Sequence, residues 1–378
     1  MVVGNYYKCV NCDHQYRIRY NIGGNFPQSS SFYCKTCGIS ITYGYDGNRK
    51  LVLDNIEEVE ESNTAQVINL HPELSIDESK ESDPTYFPSI EFMIKQKGLE
   101  ELKAFRHAQV SNVEFISKWD ECKEDFRLLT EERWPLLEKK FGTDRTKIKR
   151  ILLDKVISAA EVFLEGKWKS LIDGFRKELA LAKAHPNYPQ LKTFLEGYRD
   201  EFMFHKLYEI MNQYRSVESE LLSTLLEQKR GNKPSGLSSS AKWEKIERIY
   251  GDFYEVYGDL AVIPTVINNL LSRNNYDQFA TPGFTLKAYL ETDKAKRCIN
   301  FAGNANLAIL GQFYDASLRN GTHHKTAKIN KAKQKIVLKT GKGGKSEKVW
   351  SFVEYIEFCN EIFARCLTLL IIYDEVVV

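Results

Sequence analysis

The stretch LRNGTHHKTAKINKAKQKIVLK, residues 318–339, changes its period midway. Its first part closes an apolar helical pattern with Arg319, Asn320 and two adjacent histidines. From Lys328 onward the residues alternate, and a Gly-rich turn follows at 341–344. A period near 3.6 giving way to a period of two predicts a helix followed by a β-hairpin. On both sides of this switch the pattern is helical. Upstream, Ile246, Ile249, Tyr250, Phe253, Tyr257 and Leu260 line one face of a first helix. A second covers about Thr285 to Leu318, with a break near Gly303. Downstream, Val349, Phe352, Val353, Ile356, Phe363, Cys366, Leu367 and Leu370 predict a last helix from about Ser346 to Tyr373. Residues 241–378 therefore read as a helical domain with an inserted hairpin.

The region 89–230 is helical as well. Phe115, Trp119, Cys122, Phe126 and Leu129 recur at spacings of three and four, and ILLDKVISAAEVFL (151–164) is apolar enough for a buried helix. His185-Pro186-Asn187-Tyr188-Pro189 marks a turn. GNKPSGLSSS (231–240) has the Gly, Pro and Ser content of a domain edge. Residues 54–88 read as an acidic linker: between Asp54 and Pro84 ten carboxylates face the single Lys80. The fold class expected is mainly α.

Residues 1–53 differ. They are rich in Tyr and Gly, and YRIRY (16–20) and ISITYGY (39–45) alternate like strands of a small β module. Cys9-Val-Asn-Cys12 and Cys34-Lys-Thr-Cys37 are two C-x2-C pairs separated by 21 residues. Two residues between thiolates let both sulfurs reach one ion, and two such knuckles complete the tetrahedral set that zinc prefers. Iron can use the same four ligands. Four thiolates leave no open coordination position, so the expected Zn2+ is structural. The module resembles a zinc ribbon, a class that often binds nucleic acid or protein. Its Lys8, Arg17, Arg19, Lys35, Arg49 and Lys50 stand among Tyr6, Tyr7, Tyr16, Tyr20, Phe32 and Tyr33. Such a mixture suits phosphate contact and base stacking, or equally the covering of a small core.

The 378 residues carry a formal charge of +2, but the charge is segregated. Between positions 319 and 348 ten Lys and Arg meet only Glu347, a concentration suited to a polyanion. No secretory signal or membrane span is apparent, and the remaining cysteines, Cys122, Cys298, Cys359 and Cys366, are scattered through helical patterns. A cytoplasmic protein with buried thiols, rather than a disulfide framework, is the expectation. Gly341-Lys342-Gly343-Gly344-Lys345 lacks the spacing of a phosphate loop.

Arg319, Asn320 and His324 match the R-x4-H signature, Arg, a polar residue, three variable positions and His. With long helices before it, a lysine-rich hairpin after it and a terminal helix opening WSFVEYIEF, the region 241–378 resembles a HEPN domain. The resemblance implies a metal-independent endoribonuclease that acts as a homodimer. It also implies a role as toxin or abortive-infection effector in bacterial antiviral defence, and an antitoxin or trigger protein as partner. Cleavage would leave a 2′,3′-cyclic phosphate and a 5′-hydroxyl.

The chemistry is coherent. RNA supplies its own nucleophile, so the cut needs a group that takes the 2′-OH proton and another that stabilises the crowded phosphorane. Histidine exchanges a proton near neutral pH, and arginine forks onto two phosphate oxygens. Asn320 would orient the imidazole or the phosphate. The family spacing selects His324, with a chain break near Gly321-Thr322 to aim it. His323, four residues after Arg319, is the rival base if the helix continues. Lys325, Lys328, Lys331, Lys333 and Lys335 are the expected contacts to the RNA backbone. The alternative is a non-catalytic nucleic-acid-binding or adaptor protein that uses the ribbon for recognition and the helices for dimerisation.

Overall fold

Period-two alternation in QYRIRYN and SITYGY becomes strand in the computed structural model, which describes residues 2–21, 26–95, 99–198, 200–323, 326–340 and 346–377. The strands are β1 (Val2–Cys9), β2 (Gln15–Asn21), β3 (Gln28–Tyr33), β4 (Ser40–Tyr45), β5 (Leu51–Asp54), β6 (Ile56–Glu58), β7 (Gln66–Leu70), β8 (Lys328–Asn330), β9 (Lys335–Thr340) and β10 (Ser346–Ser351). The longer helices are α1 (Pro88–Lys95), α2 (Leu99–Thr130), α3 (Trp134–Phe141), α4 (Arg145–Phe163), α5 (Lys169–Lys183), α6 (Tyr188–Gly197) and α7 (Asp200–Lys229). They are followed by α8 (Trp243–Ile246), α9 (Ile249–Leu260), α10 (Val262–Arg273), α11 (Leu286–Glu291), α12 (Ala305–Ala308), α13 (Ala316–His323) and α14 (Phe352–Val377). The chain is mainly α with small sheets, as expected.

Packing divides it into two units, each assembled from separated segments. The first contains Met1–Ala108, Val217–Arg248 and Asn320–Asn360; the second contains Gln109–Ser216, Ile249–Arg319 and Glu361–Val378. The contiguous division expected from the sequence is therefore corrected. Residues 241–378 are shared between the units, with boundaries after Arg248, Arg319 and Asn360. The segment 231–240 is no domain edge. Ile76 and Leu237 form an antiparallel bridge, Ser238 to Ser240 are buried, and the Gln334 side chain bonds both backbone groups of Ser238.

In the first unit the acidic segment is sheet, not linker. β6 pairs antiparallel with β1, β7 pairs parallel with β2, and β5 pairs with β4. The resulting sheets run β6-β1-β2-β7 and β3-β4-β5. Ile56, Ile68 and Leu70 supply the apolar face that adds these strands to a core of Tyr7, Tyr16, Ile18, Tyr20, Phe32, Ile41 and Tyr43. Glu57 and Glu58 are exposed, and Glu57 meets Lys8 at 2.7 Å, while Lys80 of the same segment reaches Glu91 of α1 at 2.6 Å. Arg19 pins the end of the segment: its guanidinium is buried and donates to Asn69 Oδ1 and to the carbonyls of Asp83 and Tyr86. A high acid content had masked the alternation beneath it.

The same unit holds the hairpin, extended to three strands in the order β10-β9-β8. β10 occupies residues expected to open the last helix, so Val349 is exposed rather than buried. The helix starts at Phe352 because Ser351 and Glu354 form a capping box. Ser351 Oγ accepts from the Glu354 N–H at 3.1 Å, and the Glu354 carboxylate accepts from the Ser351 N–H at 2.7 Å.

The second unit is helical among its described residues. The stripe Phe115, Trp119, Cys122, Phe126 and Leu129 is buried as expected. Phe363 stacks on Tyr214 with ring centroids 4.1 Å apart and meets Phe253 and Phe163. Beneath them Glu361, almost fully buried, bonds Arg365 at 2.6 Å and Trp168 Nε1 at 3.1 Å, and meets Lys167 at 2.5 Å. Burial works to raise the Glu361 pKa, but Arg365 and Lys167 outweigh it and hold the carboxyl below its usual range. The helix expected over 285–318 is instead broken into α11, a 3-10 turn over Lys294–Phe301, α12 and α13. Asp293 and Asn304 each cap a new start with the side chain.

Candidate metal centre and the Arg319 region

Each C-x2-C pair closes a tight turn of the same design. After β1, Cys9 accepts from the Asp13 N–H at 2.9 Å; after β3, Cys34 accepts from the Gly38 N–H at 2.9 Å. Asp13 and Gly38 both take left-handed backbone, φ 55° and 74°, which explains a glycine at the second position. The two knuckles bring all four Sγ atoms within 4.8 Å of one another. Cys9 to Cys37 is 3.7 Å and Cys12 to Cys34 is 3.6 Å. A zinc ion with Zn–S bonds of about 2.3 Å requires tetrahedral edges of about 3.8 Å, so the donor set fits the metal.

Surrounding groups favour the thiolate at Cys37 and Cys34, whereas Cys9 and Cys12 are shifted up, Cys9 mainly by burial. The Ile39 backbone N–H draws Cys37 down to about 6, and the Tyr16 hydroxyl donates to Cys34 Sγ at 3.2 Å while accepting from the Lys35 N–H at 2.9 Å. The aromatic residues of the module do not form a stacking platform. Tyr7, Tyr16, Tyr20, Phe32 and Tyr33 are buried, and Arg17 already lies over the ring of Tyr6.

The lysine-bearing sheet also lies in the first unit. Ile336 and Leu338 point into the core while Lys335 and Lys339 alternate outward. Lys331 is paired with Glu244, and Lys335 faces Glu78 at 3.7 Å. Lys328 and Lys333 are exposed, and among the described residues no carboxylate pairs with either. The local excess of cations is therefore smaller than the run in the sequence suggests. The acids that reduce it come from distant positions. Lys325 and His324 lie outside the described residues.

α13 continues through Gly321 and Thr322 to His323, so the break expected at Gly321-Thr322 does not occur there. Gly321 has a different reason. A Cβ at this position would stand 2.3 Å from Cδ2 of the buried Leu338, so the glycine lets α13 lie against β9. Gly321→Ala is expected to cost about 1–3 kcal/mol through overpacking. Alanine is otherwise the better helix former by about 1 kcal/mol, so a lowered urea midpoint isolates the packing term. An unchanged midpoint would mean that Leu338 repacks freely. Asn320 is exposed and His323 partly buried, both in the first unit.

Arg319 belongs to the second unit. Asp315 caps the start of α13 by accepting from the Ser317 and Leu318 N–H groups, and its own N–H donates to the Tyr250 hydroxyl at 2.7 Å. Tyr250 in turn donates to the Phe313 carbonyl at 2.8 Å. The Arg319 guanidinium, so positioned, meets Glu255 of α9 at 2.7 Å. Lys294 bridges Glu255 at 3.2 Å and Asp259 at 2.8 Å, and Arg297 closes the chain on Asp259 at 3.2 Å. Burial works to raise the Glu255 pKa, but Lys294 and Arg319 outweigh it and hold the carboxyl below its usual range. Glu255 carries no distinguishing signal in the sequence; one residue of FYEVYGD becomes a partner only when α9 and α13 meet.

No family model, curated protein or solved structure matches the chain. Among the described residues no helix is long and apolar enough to cross a membrane. Fold and geometry thus define a mainly α protein with a four-cysteine centre that fits structural zinc.

Proposed function

We propose that the protein is a metal-independent endoribonuclease of the HEPN type, with a zinc ribbon at its amino terminus and a role as toxin or abortive-infection effector in antiviral defence. The observation that carries this reading is the Arg319–Glu255 pair. A guanidinium near the end of a helix is paired with the Glu255 carboxylate, and a phosphate offers such a guanidinium two oxygens with more charge. Arg319 would stabilise the phosphorane, His324 would take the 2′-OH proton and Asn320 would orient one of them. Lys328 and Lys333, exposed and without an acidic partner among the described residues, support contact with the RNA backbone. A homodimer through the carboxy-terminal helices belongs to the same reading.

The Glu255 pair also supplies the restraint that such an enzyme needs, because a phosphate must displace the carboxylate. Glu255→Gln is expected to raise RNA affinity several-fold at low salt, the equivalent of about 1 kcal/mol. Fluorescence anisotropy with a labelled single strand measures it, and unchanged or weaker binding would remove the latch from the reading. The reading as a whole is tested by incubating RNA and matched DNA with the zinc-loaded protein and no other divalent cation. Cutting of DNA, or no RNA cleavage under any trigger, would sink it. The second reading, a non-catalytic nucleic-acid adaptor, draws on the same pair: Glu255 is shared by Arg319 and Lys294, as in a purely structural ion network.

A further inference from the structure

The two residues that flank Cys34 both reach the turn joining β8 to β9, residues 331–334. Lys35 Nζ donates to the Ala332 carbonyl at 3.0 Å and to Glu81 at 2.8 Å. Tyr33 acts through an intermediary: its hydroxyl donates to Glu244 Oε2 at 2.8 Å and accepts from the Trp243 N–H at 2.7 Å, while Glu244 Oε1 holds Lys331. The Lys331 ammonium also lies 5.6 Å from the centre of the Tyr33 ring. These groups all belong to the first unit.

Their positions depend on the knuckle. The Cys34 N–H donates to the Ile39 carbonyl at 2.8 Å and its carbonyl accepts from Gly38, which curls the backbone so that Tyr33 and Lys35 leave on either side of the sulfur. We infer that the Cys34–Cys37 knuckle anchors the lysine-bearing turn, so that filling the four-cysteine centre fixes the loop on which Lys331 and Lys333 stand. Lys35 is a positioning residue in this arrangement. It is two-thirds or more buried, and its charge is already matched by Glu81. The cation it presents to a ligand is Lys333, through the turn it holds.

The contact has a second support, which sets the size of the effect. Gln334 takes left-handed backbone, φ 48°, and its side chain bonds Ser238 on the opposite side of the turn. Loss of the knuckle therefore loosens the turn without removing it. The anchoring stands on geometry alone; its consequence for RNA rests on the function proposed above.

Hydrogen exchange on the full chain separates the two. With zinc bound, Lys35→Met is expected to raise exchange across residues 331–340 by about tenfold, with zinc content unchanged and residues 249–273 unaffected. Lys35→Arg, which keeps the donor, is expected to restore protection. Removing zinc from the wild type with a chelator is expected to give the same acceleration together with faster exchange in β1 to β4. Wild-type protection of 331–340 in zinc-loaded Lys35→Met would overturn the anchoring, whatever the chelated protein does. A labelled single-stranded RNA then reads the consequence. Lys35→Met and Lys333→Met are both expected to weaken binding about three- to tenfold, but only the first to alter exchange. If the wild type binds no RNA while the exchange result holds, the functional reading fails and the anchoring survives.

Discussion

Cys34→Ser is expected to abolish metal binding and unfold the amino-terminal sheets. Bound zinc, measured by elemental analysis, should fall from about one per chain to background. The scale follows from the ligand set. Four thiolates contribute metal-binding free energy on the order of 10 kcal/mol, comparable with the whole stability of a typical domain. Cys34 is the most demanding of the four positions: it is fully buried, its thiol accepts from Tyr16, and its neighbours hold Trp243, Glu244 and Ala332. Cys37, exposed at the outer rim, should be milder as a single serine. Loss of near-ultraviolet dichroism from the clustered tyrosines Tyr7, Tyr20 and Tyr43 reports unfolding of the sheets. A Cys34→Ser protein with wild-type zinc content and thermal midpoint would show that the cluster is not a metal centre.

Arg319→Ala is expected to reduce RNA cleavage by at least about a hundredfold, the scale for removing one group that stabilises transition-state charge. Stability should change by no more than about 1 kcal/mol, because the Arg319–Glu255 pair is partly solvated and Glu255 keeps Lys294. Arg319→Lys should recover little, since an ammonium cannot fork onto two oxygens. His324→Ala should match Arg319→Ala, and His323→Ala should be tolerated far better. Equal cleavage by wild type and Arg319→Ala would end the endoribonuclease reading. Loss of activity together with a collapsed melting transition would instead mark the ion network as structural.

Much of the local structure was legible. The C-x2-C spacing located the four clustered cysteines, the period of two located β2, β4 and β9, and the stripe on α2 located its buried face. Errors arose where composition concealed a pattern or where the partner lay far along the chain. Acid-rich residues 54–88 looked like a linker because ten carboxylates obscured the alternation of Ile56, Ile68 and Leu70. Ser346–Ser351 reads as helix because the apolar stripe of the last helix runs across it, and only the capping box at Ser351 and Glu354 marks the true start. Gly321 looked like a helix exit, but its neighbour is Leu338.

The amino-acid sequence by itself determined the mainly helical class, the four-cysteine cluster and the helix-to-strand switch after Arg319. These depend on residues a few positions apart, whose geometry the backbone dictates. Only the tertiary structure decided that the units interleave along the chain, that Glu255 meets Arg319, and that Lys35 holds Ala332 across 297 residues. Which carboxylate neutralises which cation is set by packing between distant elements, and short-range periodicity carries no record of it.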